Sequence, residues 1–234
     1  AALKARGKTL FDQACAACHG AEGKGDGIFT QRYDLPSLPA NLTTPLQSVK
    51  IRSTFSGIAP RDEDLFRTLT RGLPGTAMWS YRALSADERW ALVLHIAGLR
   101  TGSESNSEEI KIPAMVPKDG EMTGAAKNMY LNLCSNCHGT EGLGGSVPLQ
   151  DSFTGKSFPG IKFAREGGMQ TLSGSSEMDI ARTLMTGFHE RSPMRSFKPY
   201  FYPRENPLPA QRIEGDRKLW GMVHYVRDLM DAQK

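Results

Sequence analysis

Every cysteine in the chain belongs to one of two identical frames, Cys15-Ala16-Ala17-Cys18-His19 and Cys134-Ser135-Asn136-Cys137-His138. Thiols at this spacing are open to four chemistries: a disulfide, a dithiol redox pair, a zinc site, or thioether attachment of a porphyrin. A disulfide scaffold requires a smaller and more cysteine-dense chain. A zinc ribbon brings two C-x-x-C units into one short module, whereas these lie in opposite halves of the sequence. A thioredoxin-like pair accompanies a βαβ pattern and has no use for the trailing histidine. Covalent haem does use it. Two thiols on one helical turn can add to the two vinyl groups at one porphyrin edge, and the next residue then directs its imidazole at the iron. Two covalently bound haem c groups are therefore expected, one on Cys15 and Cys18 and one on Cys134 and Cys137. His19 and His138 are the matching iron ligands. No thiol is left over for a structural disulfide.

The elements that must position these frames also come in pairs, as an internal repeat. Leu3, Gly7, Leu10, Phe11 and Ala14 recur at helical spacing before the first frame, and Ala126, Met129, Tyr130 and Leu133 before the second. Aligned on the cysteines, Phe11 matches Tyr130. A glycine-rich loop follows each frame, Gly20 to Gly27 and Gly139 to Gly145. Farther on, Asp64 to Gly72 matches Asp179 to Gly187, each read as a short helix stopped by glycine, with Ser176 starting the second. Each copy closes with an apolar helix holding one tryptophan. Ser85 and Glu88 make a capping box for the first, whose inward stripe is expected to be Trp90, Val93, Leu94 and Ala97. Trp220, Val223, Val226 and Met230 repeat that stripe, and Gly221 weakens the second helix slightly. Thr101 to Lys118, rich in serine and glutamate and holding Pro113 and Pro117, keeps no period and reads as an extended linker. The expected division is residues 1–102, a linker at 103–118, and residues 119–234.

The 234 residues suffice for two small domains, with 39% hydrophobic and 23% charged residues, values of a folded chain. No apolar run reaches the roughly 18 residues of a membrane span. The formal charge is +4, from 29 basic and 25 acidic residues, too balanced to suggest nucleic-acid binding. Two haems would change this little: four propionates subtract about 4 and two ferric cores add about 2, so long-range steering by net charge is weak. The chain opens Ala1-Ala2-Leu3-Lys4 without a leader-like core, and is expected to be cytosolic or already processed.

These features together resemble class I cytochrome c, twice over: N-terminal helix, C-x-x-C-H, glycine-rich loop, middle helix, methionine loop and tryptophan-bearing final helix. The resemblance implies an all-α fold, two tandem domains, and a first and last helix crossing at a small-residue and aromatic contact. Gly7 and Phe11 would meet the Trp90 helix, and Ala126 and Tyr130 the Trp220 helix. It also implies the bacterial periplasm, reached after removal of a leader.

The family's second iron ligand is a methionine, whose soft sulfur favours ferrous iron and raises the potential. Of the 10 methionines, two sit in the matching loop, Met78 after Gly72-Leu73-Pro74-Gly75 and Met194 after Arg191-Ser192-Pro193. His189, in the same loop as Met194, is the competing ligand. His95 and His224, inside the final helices, are read as structural. The family holds its proximal histidine with a proline carbonyl; Pro148 suits His138, while Pro36 and Pro39 compete for His19. Lys50, Arg52, Trp79, Tyr81 and Arg195 are candidates for the propionates, with solvated surface the alternative for the charged ones.

A haem filled on both faces by protein has no room for substrate. The expected function is thus single-electron transfer between periplasmic redox partners through two His/Met-ligated low-spin haems. The donor would be a dehydrogenase or quinol-oxidising complex and the acceptor an oxidase or reductase. No catalytic residue, nucleic acid or membrane span is expected. One alternative is an electron-transfer subunit bound to a larger oxidoreductase or oxidase. Phe197, Tyr200, Phe201 and Tyr202 then form either a docking face or a cover over the haem edge. A dihaem peroxidase is the remaining alternative. It needs one open axial site, and methionine loops in both halves argue against it.

Overall fold

The computed structural model describes residues 2–33, 35, 38–44, 60–73, 77–101, 109–145, 149–150, 157–158, 162–163, 176–187 and 194–232. They form two compact units, Ala1–Glu109 and Ile110–Lys234. The fold is all-α; a two-residue antiparallel pair, Leu149–Gln150 with Ser157–Phe158, is the one extended pairing among the described residues. None of the described helices is long and apolar enough to cross a membrane.

In the first unit, α1 (Ala2–Ala14) runs into the one-turn α2 (Ala16–His19), and α3 (Ile28–Arg32) follows the glycine loop. The unit is completed by α4 (Asp62–Arg71) and α5 (Ala86–Ala97). Helix α1 packs on α5, and α4 packs on α5. The crossing of α1 with α5 is set by a missing side chain. A Cβ on Gly7 would lie 2.0 Å from the Ala91 carbonyl oxygen, so only glycine lets the backbones approach this closely. One turn on, the Phe11 ring meets the His95 ring at 5.1 Å. The core gathers Leu10, Phe11, Leu65, Leu69, Leu92, Val93 and Ile96, with Cys15 and Leu42 at its edge.

The buried face of α5 differs from the expected stripe. Ala91, Leu92, Val93, His95 and Ile96 are buried, whereas Leu94 is 40% exposed. The helix is covered from two sides: α1 takes Ala91 and His95, and Trp90 turns toward α4 to stack on Phe66 at 4.6 Å. Position 94 is left facing water. The capping box forms as read, with the Ser85 hydroxyl accepting from the Glu88 amide at 3.2 Å and the Glu88 carboxylate accepting from the Ser85 amide at 3.1 Å. Ser85→Ala should lower the melting stability of the first unit by about 1 kcal/mol, measured by urea titration, and leave the second unit unchanged.

The second unit repeats the plan with α6 (Gly120–Leu133), α7 (Ser135–His138), α8 (Glu177–Thr186), the short α9 (Lys198–Phe201) and α10 (Pro209–Asp231). Ser176 caps α8 with Asp179 as its reciprocal partner. At the crossing of α6 with α10 the small residues are exchanged: Ala126 is on the first helix, and the glycine, Gly221, is on the last. Gly221 is thus a contact point rather than a weakness. Tyr130 meets Tyr225 at 5.3 Å, in the place of Phe11 and His95. Residues 110–118 are extended and fastened to α10. The His224 Nε2–H donates to the Val116 carbonyl at 2.8 Å, and Lys118 pairs with Asp228 at 2.6 Å.

Candidate haem sites

The two C-x-x-C-H frames have one backbone solution. Each first cysteine, Cys15 or Cys134, breaks the long helix and caps the single turn that follows. The turn closes through His19 N–H to Cys15 O at 2.8 Å and His138 N–H to Cys134 O at 2.9 Å. This sets both thiols and the imidazole of each frame on one short helix. The loop beyond folds back on it. Gly25 N–H donates to His19 O at 2.7 Å and Gly144 N–H to His138 O at 2.9 Å. Gly27 and Gly145 then donate to Cys18 O and Cys137 O, packed so tightly that a Cβ on either would strike backbone.

All four thiols are free in the structure, with Cys15 and Cys134 buried and Cys18 and Cys137 half-buried. Burial, with the neighbouring Cys18, pushes the Cys15 thiol up to about 12; burial and Cys137 push Cys134 to about 11. These are poor thiolates, unlike the depressed thiol of a dithiol oxidoreductase. Among the described residues, no three His, Cys, Asp or Glu side chains are grouped to hold a bare metal ion. A zinc site of four protein ligands therefore has no support there.

The imidazole of His19 is prepared as a ligand. Its Nδ1 lies 3.0 Å from the Ala40 carbonyl oxygen, which can only accept, so Nδ1 carries the proton and Nε2 keeps its lone pair. Burial lowers the His19 pKa, partly opposed by that hydrogen bond, and so favours the neutral form that binds iron. The acceptor corrects the expectation for Pro39: it is the neighbouring Ala40. A backbone carbonyl carries no mark of residue type, so no residue in the loop announces itself as the acceptor. Pro36 and Pro148 lie outside the described residues.

His138 carries an aromatic ring on its face. Phe163 stacks on its ring, with centroids 4.9 Å apart and planes at 26°. No sequence feature marks Phe163. Its place shows in the backbone, where Phe163 N–H donates to Gly142 O at 2.7 Å as Leu42 N–H donates to Gly23 O at 2.6 Å.

The segments holding Met78 and Met194 share several features among the described residues. Gly72 and Gly187 end α4 and α8 at φ of 70° and 67°, where a side chain is strained. A Cβ on either would lie within 3 Å of the backbone that follows the methionine. Ser80 Oγ–H donates to Thr70 O at 2.8 Å, and Ser196 Oγ–H to Met185 O at 2.6 Å. Tyr81 N–H reaches Leu69 O, and Phe197 N–H reaches Leu184 O, both at 2.8 Å. Met78 is half-buried and packs on the core that includes Cys15. Tyr81 ties its segment to the frame: the phenol donates to Ala14 O at 3.1 Å and is pushed up to about 12 by burial and by Cys15 and Cys18. Met194 is likewise half-buried.

Of the propionate candidates, Trp79 is 72% exposed, Arg195 is exposed, and Tyr81 is engaged as described. Lys50, Arg52, His189 and Pro193 lie outside the described residues. The aromatic run after Met194 is a brace more than an open face. Phe201 is buried, and Tyr202 donates to Asp216 at 2.6 Å while its ring fills the space above Gly215. These contacts hold the first turns of α10, which begins well before Trp220. Only Tyr200 of this group is largely in water.

The donor set of each frame fits a porphyrin held by two thioethers and one imidazole. Two thiols on one helical turn stand beside a histidine, whose tautomer in the first unit is the one suited to metal binding. The cytochrome c family model matches residues 4–100. Cytochrome c-554(547) of Halothiobacillus neapolitanus is 33% identical over 85 residues, which make up 36% of this chain and 81% of that protein. A chain from the solved reducing HAO-like protein complex of Kuenenia stuttgartiensis has a TM-score of 0.75 and 28% identity, covering 96% of this chain and 95% of that one. Motif, fold and kinship agree: the chain belongs to the cytochrome c family, whose members bind haem c covalently and transfer electrons.

Proposed function

We propose that the chain is a dihaem cytochrome of two tandem class I domains, passing single electrons between redox proteins in the periplasm. One observation carries this reading. The frame, the glycine loop and the methionine segment are built in the second unit from the same hydrogen bonds as in the first. The family match and residues 4–100 speak for the first unit; the repeat extends the reading to the second.

In each unit the residues divide the work. Cys15 and Cys18, or Cys134 and Cys137, fix the porphyrin edge by thioether bonds. His19 or His138 would supply one iron ligand through nitrogen, and Met78 or Met194 a second through sulfur. Bound haem supplies a one-electron couple. With both ligands supplied by protein side chains, no coordination position would be left for substrate, and electron exchange would need little rearrangement. Ala40 holds the His19 proton at Nδ1 throughout. The tandem units are assigned to residues 1–102 and 119–234.

A second reading is favoured by the likeness over 96% of the chain to a chain from a protein complex: a subunit held on a larger oxidoreductase rather than a free shuttle. Size measurement of the native protein from its source separates the two.

The primary test is haem content. The pyridine haemochrome of the purified chain should report two haems per polypeptide, and Cys134→Ala with Cys137→Ala should leave one. Both haems should be low-spin, with a weak far-red ferric band from iron–sulfur coordination. A single haem in the parent chain, or a five-coordinate high-spin centre that binds cyanide tightly, would falsify the proposal.

A further inference from the structure

The two sites share their frame, loop and methionine segment but differ in what backs the proximal histidine. Leu42 and Phe163 occupy the same backbone station, each donating its amide to the second loop glycine, Gly23 or Gly142. In the second unit that station delivers an aromatic ring onto His138, at 4.9 Å and 26°. Among the described residues no ring stacks on His19. The Phe163 side chain is 4% exposed and has little freedom. Gly142 makes room for it: at φ of 75°, a Cβ there would fall 2.5 Å from Phe163 Cδ2. Tyr130 closes the other side, its ring 6.4 Å from Phe163 and its hydroxyl donating to Gly139 O at 2.7 Å.

We infer that Phe163 is a positioning residue for His138 that biases the second centre toward its oxidised form. The inference rests on the reading of His138 as an iron ligand. The physical ground is the aromatic quadrupole. An imidazole gives up more electron density to a ferric than to a ferrous metal and becomes more positive. A π face lying on it favours that polarised state, as it favours a cation. The stacked ring also fixes the imidazole plane about the metal–nitrogen axis. Contacts made to a metal ligand by the residues around it orient the ligand and tune a centre. Leu42 offers neither effect.

The test uses the full chain carrying its haems, with potentiometric titration and paramagnetic NMR of each centre. Phe163→Leu should shift the ferric/ferrous equilibrium of the second centre about two- to five-fold toward ferrous, the range of an exposed cation–π contact. At 59 mV per tenfold this is an upward shift of roughly 20 to 40 mV. The first centre should not move, and the His138 ring resonances should show altered orientation. Phe163→Tyr should restore both signals. If Phe163→Leu fails to retain its haem, Phe163→Met, close to phenylalanine in volume but unable to stack, provides the same comparison. A folded, two-haem, low-spin Leu or Met variant whose second potential is unchanged overturns the inference. A parent chain with one haem, or one whose second low-spin spectrum survives His138→Ala, instead refutes the underlying ligand assignment.

Discussion

Met194→His should lower the reduction potential of the second haem by on the order of 0.2 V and leave the first where it is. Axial ligation spans roughly 0.8 V across haem proteins, and exchanging a soft thioether for a more basic imidazole moves a centre downward within that range. The structure makes the substitution site-specific. The residue sits on a segment pinned by Ser196 to Met185 O and by Phe197 to Leu184 O, so the backbone need not move to present a new donor. The far-red iron–sulfur band should halve, and a potentiometric titration should separate into two well-resolved steps. Met78→His should do the same to the first haem. Equal potentials for Met194→His and the parent would show that the second sulfur comes from elsewhere, or that His189 already occupies the position.

Gly7→Ala should destabilise the first unit by about 2 to 3 kcal/mol, while Gly221→Ala should cost under about 1 kcal/mol. Both residues are helical glycines at corresponding crossings of the two units, and helix propensity alone would make either change favourable by about 1 kcal/mol. Packing reverses the sign at one of them. The new methyl on residue 7 would meet the Ala91 carbonyl oxygen at 2.0 Å and its carbon at 2.6 Å, backbone atoms that move only if the whole of α5 moves. Overpacking of this kind typically costs 1–3 kcal/mol, occasionally more. At residue 221 the nearest obstacle is Met122 Cγ at 2.6 Å, part of a flexible side chain, with the Met122 carbonyl at 3.3 Å. Urea unfolding followed by circular dichroism in the haem bands gives the comparison. Equal losses for the two variants would mean that the crossings are softer than their geometry implies.

The all-α class, the repeated helices and the frames were legible because covalent chemistry and helix punctuation are written in residue types. Cysteine spacing, a serine three residues before a glutamate, and a glycine closing a helix each have one dominant physical reading. What escaped was decided by the third dimension. The acceptor for His19 is a carbonyl, and any residue could have supplied it. Leu94 lay in an apolar run whose helix is covered on two sides, so a single-stripe reading placed it inward. Gly221 looked like a defect until α6 was laid across it. Phe163 lies far beyond its histidine in sequence, and only its hydrogen bond to Gly142 reveals that it stands where Leu42 does.

The exchange of small residues between the two crossings bears on how such a duplicated chain reaches its native pairing. A nascent polypeptide with two similar helix pairs risks docking the wrong partners, a characteristic failure of repeat proteins. Each pair sets one bare position against its neighbour: Gly7 against the Ala91 carbonyl, and Gly221 against the Ala126 methyl. Joining α1 to α10 would bring two bare positions together and leave a void. Joining α6 to α5 in the geometry of the first crossing would drive the Ala126 methyl into the Ala91 carbonyl. Complementary notches of this sort would favour each half closing on its own final helix.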